Sequence, residues 1–293
     1  MPESQPDIWS QWLLHRRHGG DPHYLQTVLE GLSRIRDTVL DHAQLRDGDT
    51  LLDVGCGDGL IALGALERVS TCRVILSDIS PELLHHVQAL TEQLGVQQRC
   101  QFLPAAADDL SALPDAAVDV VTTRSVLIYV AAKQQALAEF YRVLKPQGRL
   151  SIFEPINRFA LSLAPQLWWG YDVTPLQALA DKITAVYRAL QPYEHDPMLN
   201  FDERDVLHWA EQAGFTDIDL AYHAEVKPYA RPLNWETLYR TAGNPKIPTL
   251  EEAIRQALTA EEAEQFIAYL RPLADARQGH QRFASIYLWA VKH

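Results

Sequence analysis

The sequence predicts an α/β fold in which a mostly parallel sheet carries a helical cap. Three observations lead there. Short apolar strands and amphipathic helices alternate between residues 50 and 153. The first strand runs into a glycine-rich turn, and the next strand ends in an acid. Two later stretches, 157–200 and 229–281, abandon that rhythm and read as mainly helical.

Residues 6–43 read as two helices. Ile8, Trp9, Trp12 and Leu13 share one face of the first, and Leu25, Val28, Leu29, Leu32, Ile35, Val39 and Leu40 recur at helical spacing in the second. His18-Gly19-Gly20-Asp21-Pro22 separates them, with Asp21 as an expected N-cap and Pro22 at the first helical position. Thr50-Leu51-Leu52-Asp53-Val54 is a short buried strand. A helix over 60–69 follows, then a strand over 73–76 that ends at Ser77-Asp78. Ser80 and Pro81 open a helix that Gly95 stops. Strands are expected at 100–103, 118–122 and 149–153, with a helix over 133–144 before the last of these. The pattern resumes with a helix over 203–213, stopped by Gly214, and a strand near 218–226. A final strand covers 283–291. The resulting organisation is an N-terminal helical cap or lid (1–46), a core (47–156), a cap insertion (157–200), a core continuation (201–228), a second cap insertion (229–281) and a last core strand (282–293).

A chain of 293 residues with 47 % hydrophobic and 22 % charged residues can bury a core without covalent staples. No apolar run approaches the roughly 20 residues a membrane helix needs. The N-terminus lacks a basic start followed by an apolar stretch, so no secretory signal is expected. A net charge of −12 argues against nucleic acid as a partner, because phosphate binding uses clustered Lys and Arg. Only Arg16, Arg17 and His18 form a short basic patch. Cys56, Cys72 and Cys100 show no paired spacing. Neither a disulfide framework nor a metal site is expected, and reduced thiols fit a cytoplasmic protein.

The chemistry-bearing motif is Asp53-Val54-Gly55-Cys56-Gly57-Asp58-Gly59. Glycines let backbone pass close to a ligand, and in a parallel sheet ligands bind at the carboxyl ends of the strands. Asp78 ends the next strand and suits a ribose diol, since a carboxylate accepts two hydrogen bonds. A dinucleotide fingerprint is GxGxxG, whereas position 60 here is Leu60. Asp53 and Asp58 would repel a pyrophosphate but suit a cationic sulfonium with an α-amino group. That charge logic favours S-adenosylmethionine over a nicotinamide dinucleotide. A glycine turn with no ligand is the bland alternative, and Cys56 either lines the cofactor or is simply a small residue the turn tolerates.

This motif resembles the first motif of class I S-adenosylmethionine-dependent methyltransferases. Residues 114–121 (PDAAVDVV) are similar to the approach to that family's fourth strand, and 140–150 (FYRVLKPQGRL) resemble the helix, turn and fifth strand of its UbiE-like, or methyltransferase 11, branch. The resemblance covers about residues 48–155. It implies a Rossmann-like seven-stranded sheet whose last strand is antiparallel and lies beside the sixth. It also implies that Gly55, Gly57 and Gly59 line the methionine part of S-adenosylmethionine, with Asp53 near its amino group; Cys56, between them, is counted with the cofactor candidates. Asp78 would hold the ribose and Ile79 would pack on the adenine. The family's acid after the third strand is missing, because Ala106 stands in its place; Asp108, or the backbone amide of Ala107, is the expected substitute. Arg124 and Ser125 would project toward the cofactor.

Methyl transfer from a sulfonium needs orientation more than covalent help, and orientation can lower a barrier by roughly 7–11 kcal/mol. A general base, if one is used, would be His or a carboxylate. Tyr129, Glu154 and His18 are the catalytic candidates, each against a plain packing or solvent role. The N-terminal segment is read either as a lid hinged at Gly19-Gly20, bringing His15 or His18 to the substrate, or as a helix that only caps the sheet. An aromatic-rich roof in the two insertions points to a small molecule or a short peptide as acceptor. An RNA or protein methyltransferase, a non-methylating enzyme of the same fold and a non-catalytic cofactor-binding module remain alternatives.

Overall fold

The computed structural model describes residues 7–17, 19, 22–160, 167–228 and 234–293. The chain divides into two compact units. One comprises residues 31–156, 201–223 and 285–293; the other comprises 1–30, 157–200 and 224–284.

The first unit is built on a seven-stranded sheet. In chain order its strands are β1 (Thr50–Val54), β2 (Arg73–Asp78), β3 (Cys100–Pro104), β4 (Val118–Arg124) and β5 (Leu144–Pro155), with two later strands at Asp217–Pro228 and His280–Val291. The spatial order is β3-β2-β1-β4-β5, then the final strand, then Asp217–Pro228. β1 to β5 pair in parallel, and the final strand runs antiparallel to β5, with Ile152 opposite Leu288. The chain order reverses between β1 and β4, which is where such sheets bind ligands. The register brings the carboxyl ends together: Val54 lies opposite Ser77 and Thr123, Asp78 opposite Pro104, and Arg124 opposite Phe153.

Local chemistry explains the helices on this sheet. α1 (Leu60–Arg68) begins at Gly59, whose φ is 83°. α2 (Pro81–Gln93) is capped by Ser80, whose side chain accepts from Leu83 N, and Pro81 sits in the first turn. Leu83, Leu84 and Val87 supply its buried face. α3 (Lys133–Val143) buries Ala136, Leu137, Phe140 and Val143. α4 (Glu203–Ala213) carries a capping box between Asp202 and Asp205 and ends at Gly214, with φ 110°. β5 begins five residues earlier than its apolar core suggests, because Leu144 already pairs with Val118 before the register shifts near Val120.

The second unit is mainly helical. Asp7 caps a short helix at Ile8–Gln11, which continues as a π-turn at Trp12–Arg16. Pro22 opens the helix Pro22–Ala43, which runs on into the first unit; the expected cap Asp21 lies outside the described residues. The rest comprises the hairpin Leu167–Trp168/Tyr171–Asp172 and helices Gln177–Leu190, Trp235–Arg240, Leu250–Ala257 and Ala260–Asp275. Trp168, Tyr171, Ile183, Trp235, Leu250, Phe266 and Leu270 form its buried core. The N-terminal segment is bonded to other residues of this unit. Trp12 Nε1 donates to Ala242 O at 2.8 Å, and Arg16 pairs with Glu252 at 2.5 Å. No described helix is long and apolar enough to cross a membrane.

Candidate cofactor site at the carboxyl edge of the sheet

The glycine turn leaves β1 in left-handed backbone. Gly55, Gly57 and Gly59 have φ of 63°, 55° and 83°. At Gly55 the conformation is reinforced by contact, since a Cβ there would stand 2.4 Å from Val126 Cγ2. Close approach of the loop after β4 therefore requires this glycine, independently of any ligand. Cys56 is buried, its N–H donates to Ser77 O, and burial pushes its thiol well above its ordinary value.

Asp78 closes the turn from the next strand. Its Oδ2 accepts from Gly57 N and its Oδ1 from Ser80 N, both at 2.9 Å. These two amides fix the orientation of the carboxylate at the end of β2. Beside it, Ile79 is 52 % exposed, an apolar side chain held in solvent at the end of a buried strand.

Asp53 lies deeper, at 2 % exposure. Its Oδ2 accepts from Ala62 N at 3.1 Å and its Oδ1 from Thr122 Oγ1 at 3.1 Å. Burial pushes its carboxyl up to about 7, against the hydrogen bonds and the nearby Arg124. It ties β1 to both α1 and β4. One oxygen of Asp58, in the same turn, is buried with no hydrogen-bond partner among the described residues.

Glu154 is fully buried. Its carboxylate accepts from Val126 N at 2.8 Å, Leu127 N at 2.9 Å and Ile128 N at 3.3 Å. Desolvation outweighs these bonds and raises its carboxyl to about 7. The loop it holds includes Ser125, at φ 58°, whose N–H donates to Phe153 O, and the short turn Leu127–Tyr129. Tyr129 in that turn, like Arg124 and Ser125 before it, is half-buried.

After β3 the chain turns at Ala106 and Asp109. Ala107 is buried and Asp108 half-buried. Ala105 N donates to Asp78 O, which joins this turn to the end of β2. Its far side is anchored by a pair on α3: Glu139 accepts from Leu110 N, and Arg142 donates to Glu139 and to the carbonyls of Leu110 and Leu113. The Arg142 guanidinium holds the Glu139 carboxyl below the usual carboxylate range.

A family model described as a methyltransferase domain matches residues 52–152. The UbiE ubiquinone/menaquinone biosynthesis C-methyltransferase of Ruegeria sp. (strain TM1040) is 30 % identical over 189 residues, covering 63 % of this chain and 74 % of the relative. The chain belongs to the class I S-adenosylmethionine-dependent methyltransferases. A tRNA 5-carboxymethoxyuridine methyltransferase from Escherichia coli K12 is 31 % identical over 166 residues, covering 56 % of this chain and 59 % of the relative. Among solved structures, geranyl diphosphate methyltransferase in complex with S-adenosylmethionine shares the fold, with a TM-score of 0.55 and 18 % identity, covering 95 % of this chain and 98 % of that one.

S-adenosylmethionine is therefore the cofactor of this methyltransferase. The residues present fit it. Acids at 58 and 78 suit a cation, one Asp58 oxygen is buried with no hydrogen-bond partner among the described residues, and Ile79 offers an exposed apolar face. The expected site residues Gly55, Cys56, Gly57, Gly59, Asp78, Ile79, Ala107, Asp108, Arg124, Ser125 and Tyr129 all belong to the sheet unit, on the turn and loop segments at its carboxyl edge. Asp53 and Glu154 also lie in this unit but are turned to internal partners. His18 lies outside the described residues, and His15 belongs to the helical unit. Among the described residues no His, Cys, Asp or Glu cluster could hold a metal ion. Sequence reasoning missed Thr122, Val126, Glu139 and Arg142. For the last two a signal existed: an acid–base pair at i and i+3 on a helix.

Proposed function

We propose that this methyltransferase acts on a small molecule or a short peptide by in-line methyl transfer. The fixed Asp78 carboxylate beside the exposed Ile79 carries the cofactor half of the reading, as a cradle for a nucleoside, and the net charge of −12 favours a small acceptor over nucleic acid. When bound, the cofactor supplies an electrophilic methyl carbon on a sulfonium. In this reading Asp78 receives the ribose hydroxyls and Ile79 covers one face of the adenine. Ala107 and Asp108 meet the adenine edge. Gly55, Cys56, Gly57 and Gly59 surround the methionine part, which the orphaned Asp58 oxygen also approaches.

Asp53 and Glu154 act as positioning residues. The first holds the turn against α1, and the second holds residues 126–128, of which Val126 packs against Gly55. Arg124 and Ser125 border the cofactor, and Tyr129 is left to face the acceptor, with His18 as a further candidate. Orientation and exclusion of water account for the rate, so no strong general base is required. The three cysteines are free thiols, which supports a cytoplasmic setting.

Conversion of S-adenosylmethionine to S-adenosylhomocysteine against a mixed acceptor library, read by mass spectrometry, tests the proposal. A small acceptor or peptide heavier by the mass of one CH₂ per transfer is expected. The tRNA methyltransferase relative motivates a second arm with unmodified tRNA. Methylation of tRNA alone would replace the small-acceptor reading, which the net charge of −12 favours.

A further inference from the structure

The helical unit contains a chamber of about 1080 Å³ whose lining residues all belong to that unit. Three features of its wall point to a ligand. The first is Trp169. It sits with Gly170 in the two-residue turn of the hairpin, and the two have φ of 49° and 86°. Positive φ at both central positions is the pattern that favours Asn-Gly, and a bulky residue there is an outlier. Gly170 is forced, since a Cβ would lie 2.0 Å from His280 O. No such constraint calls for tryptophan at 169. Its ring nevertheless stacks on Trp168 at 4.8 Å and 4°, lies 5.3 Å from Tyr187, and remains 38 % exposed. Backbone held in an unfavourable region to place an aromatic ring at a cavity wall is a mark of binding.

The second and third features are orphaned donors. Tyr187 and Arg282 both line the chamber, and the Tyr187 hydroxyl and Arg282 Nε are buried with no hydrogen-bond partner among the described residues. Buried polar groups are normally paired, so each calls for an acceptor atom. Arg188 adds a second cation to the wall. Among the described residues of the lining the one carboxylate, Asp181, accepts from Gln177 Nε2. In a chain of net charge −12, a wall with two arginines and one engaged acid selects for an anion.

We propose that this chamber binds a planar aromatic molecule bearing an oxyanion such as a carboxylate. The ring lies on Trp169, and the oxygens meet Arg282 and the Tyr187 hydroxyl. The proposal does not rest on the cofactor reading, since it uses only residues of the helical unit.

Calorimetric titration with 2-naphthoate, and with neutral 2-naphthamide as its uncharged counterpart, tests the proposal on the full chain. Saturable 1:1 binding of naphthoate is expected, at least tenfold tighter than that of the amide. Arg282→Gln should weaken naphthoate about tenfold and leave the amide within about threefold, the loss of one charge-assisted contact. Trp169→Asn, which suits the turn better, should preserve the melting temperature and weaken both ligands about tenfold. Tyr187→Phe removes one oxygen atom from a folded protein and should weaken naphthoate several-fold. No saturable binding of naphthoate at millimolar concentration would overturn the proposal. So would equal affinity in wild type, Trp169→Asn and Tyr187→Phe.

Discussion

Replacing Glu154 by Gln separates the electrostatics of that residue from its hydrogen bonds. The buried carboxyl accepts from three backbone amides, and its folded value is raised from 4.5 to about 7 by desolvation. A raised carboxyl means that the folded state binds more protons than the unfolded state between those two pH values. Stability from this group is therefore fully present below pH 4.5 and is lost as the pH rises to about 7. At about 1.4 kcal/mol per pH unit, the loss is roughly 3 kcal/mol. Gln cannot titrate, and its carbonyl keeps two of the amides, but its NH₂ faces the third. That leaves one buried N–H unsatisfied, a cost of about 1–3 kcal/mol. Asp53, also raised to about 7, is present in both proteins, so its contribution cancels in the difference. Urea denaturation of both proteins from pH 4.5 to 8 reads the effect. Wild type should be the more stable at pH 4.5, and its advantage should shrink by roughly 3 kcal/mol by pH 8, to zero or below. An advantage that stays flat or grows with pH would refute the reasoning. It would mean that Glu154 is ionised and well paired, with Lys133 as the nearby cation.

Other outcomes follow from the same contacts. Gly55→Ala adds a Cβ 2.4 Å from Val126 Cγ2 in left-handed backbone, and should destabilise by about 2–4 kcal/mol; adding Val126→Ala should recover the steric share only, as seen in melting temperatures. Ile79→Ser changes a side chain that is 52 % exposed, so stability should move by less than about 0.5 kcal/mol while calorimetric affinity for S-adenosylhomocysteine falls several-fold. Arg142→Met leaves Glu139 and two carbonyls without their donor and should cost about 2–4 kcal/mol in urea, with increased proteolytic cleavage near residues 105–113.

The parts of this fold that were legible in the sequence are those set by local chemistry. Ser80-Pro81 announces a helix start, and Gly214 a helix end. The glycines at 55, 57 and 59 announce left-handed backbone at a strand end. Strand β5 was only half legible: Lys145-Pro146-Gln147-Gly148 reads as a turn, yet Leu144 pairs with Val118 across the sheet. The hairpin at 167–172 escaped notice because Trp169 occupies a position whose backbone normally calls for Asn or Gly.

At the site, residue identity was legible and partnership was not. Asp53 and Glu154 look like exposed chemistry when read as strand-end acids. The structure instead directs Asp53 to Ala62 and Thr122, and Glu154 to three amides from a loop 26–28 residues earlier. No sequence period encodes such long-range pairing. Asp78 differs because its partners, Gly57 and Ser80, belong to motifs already visible as a turn and a cap.

The most direct test of the central claim is calorimetric titration of S-adenosylhomocysteine into wild type and Asp78→Ala. Wild type is expected to bind 1:1 and the variant to lose roughly 10- to 150-fold in affinity, the worth of about 1.5–3 kcal/mol for hydrogen bonds to a charged acceptor. Absence of binding by wild type, or equal affinity in the two proteins, would contradict it.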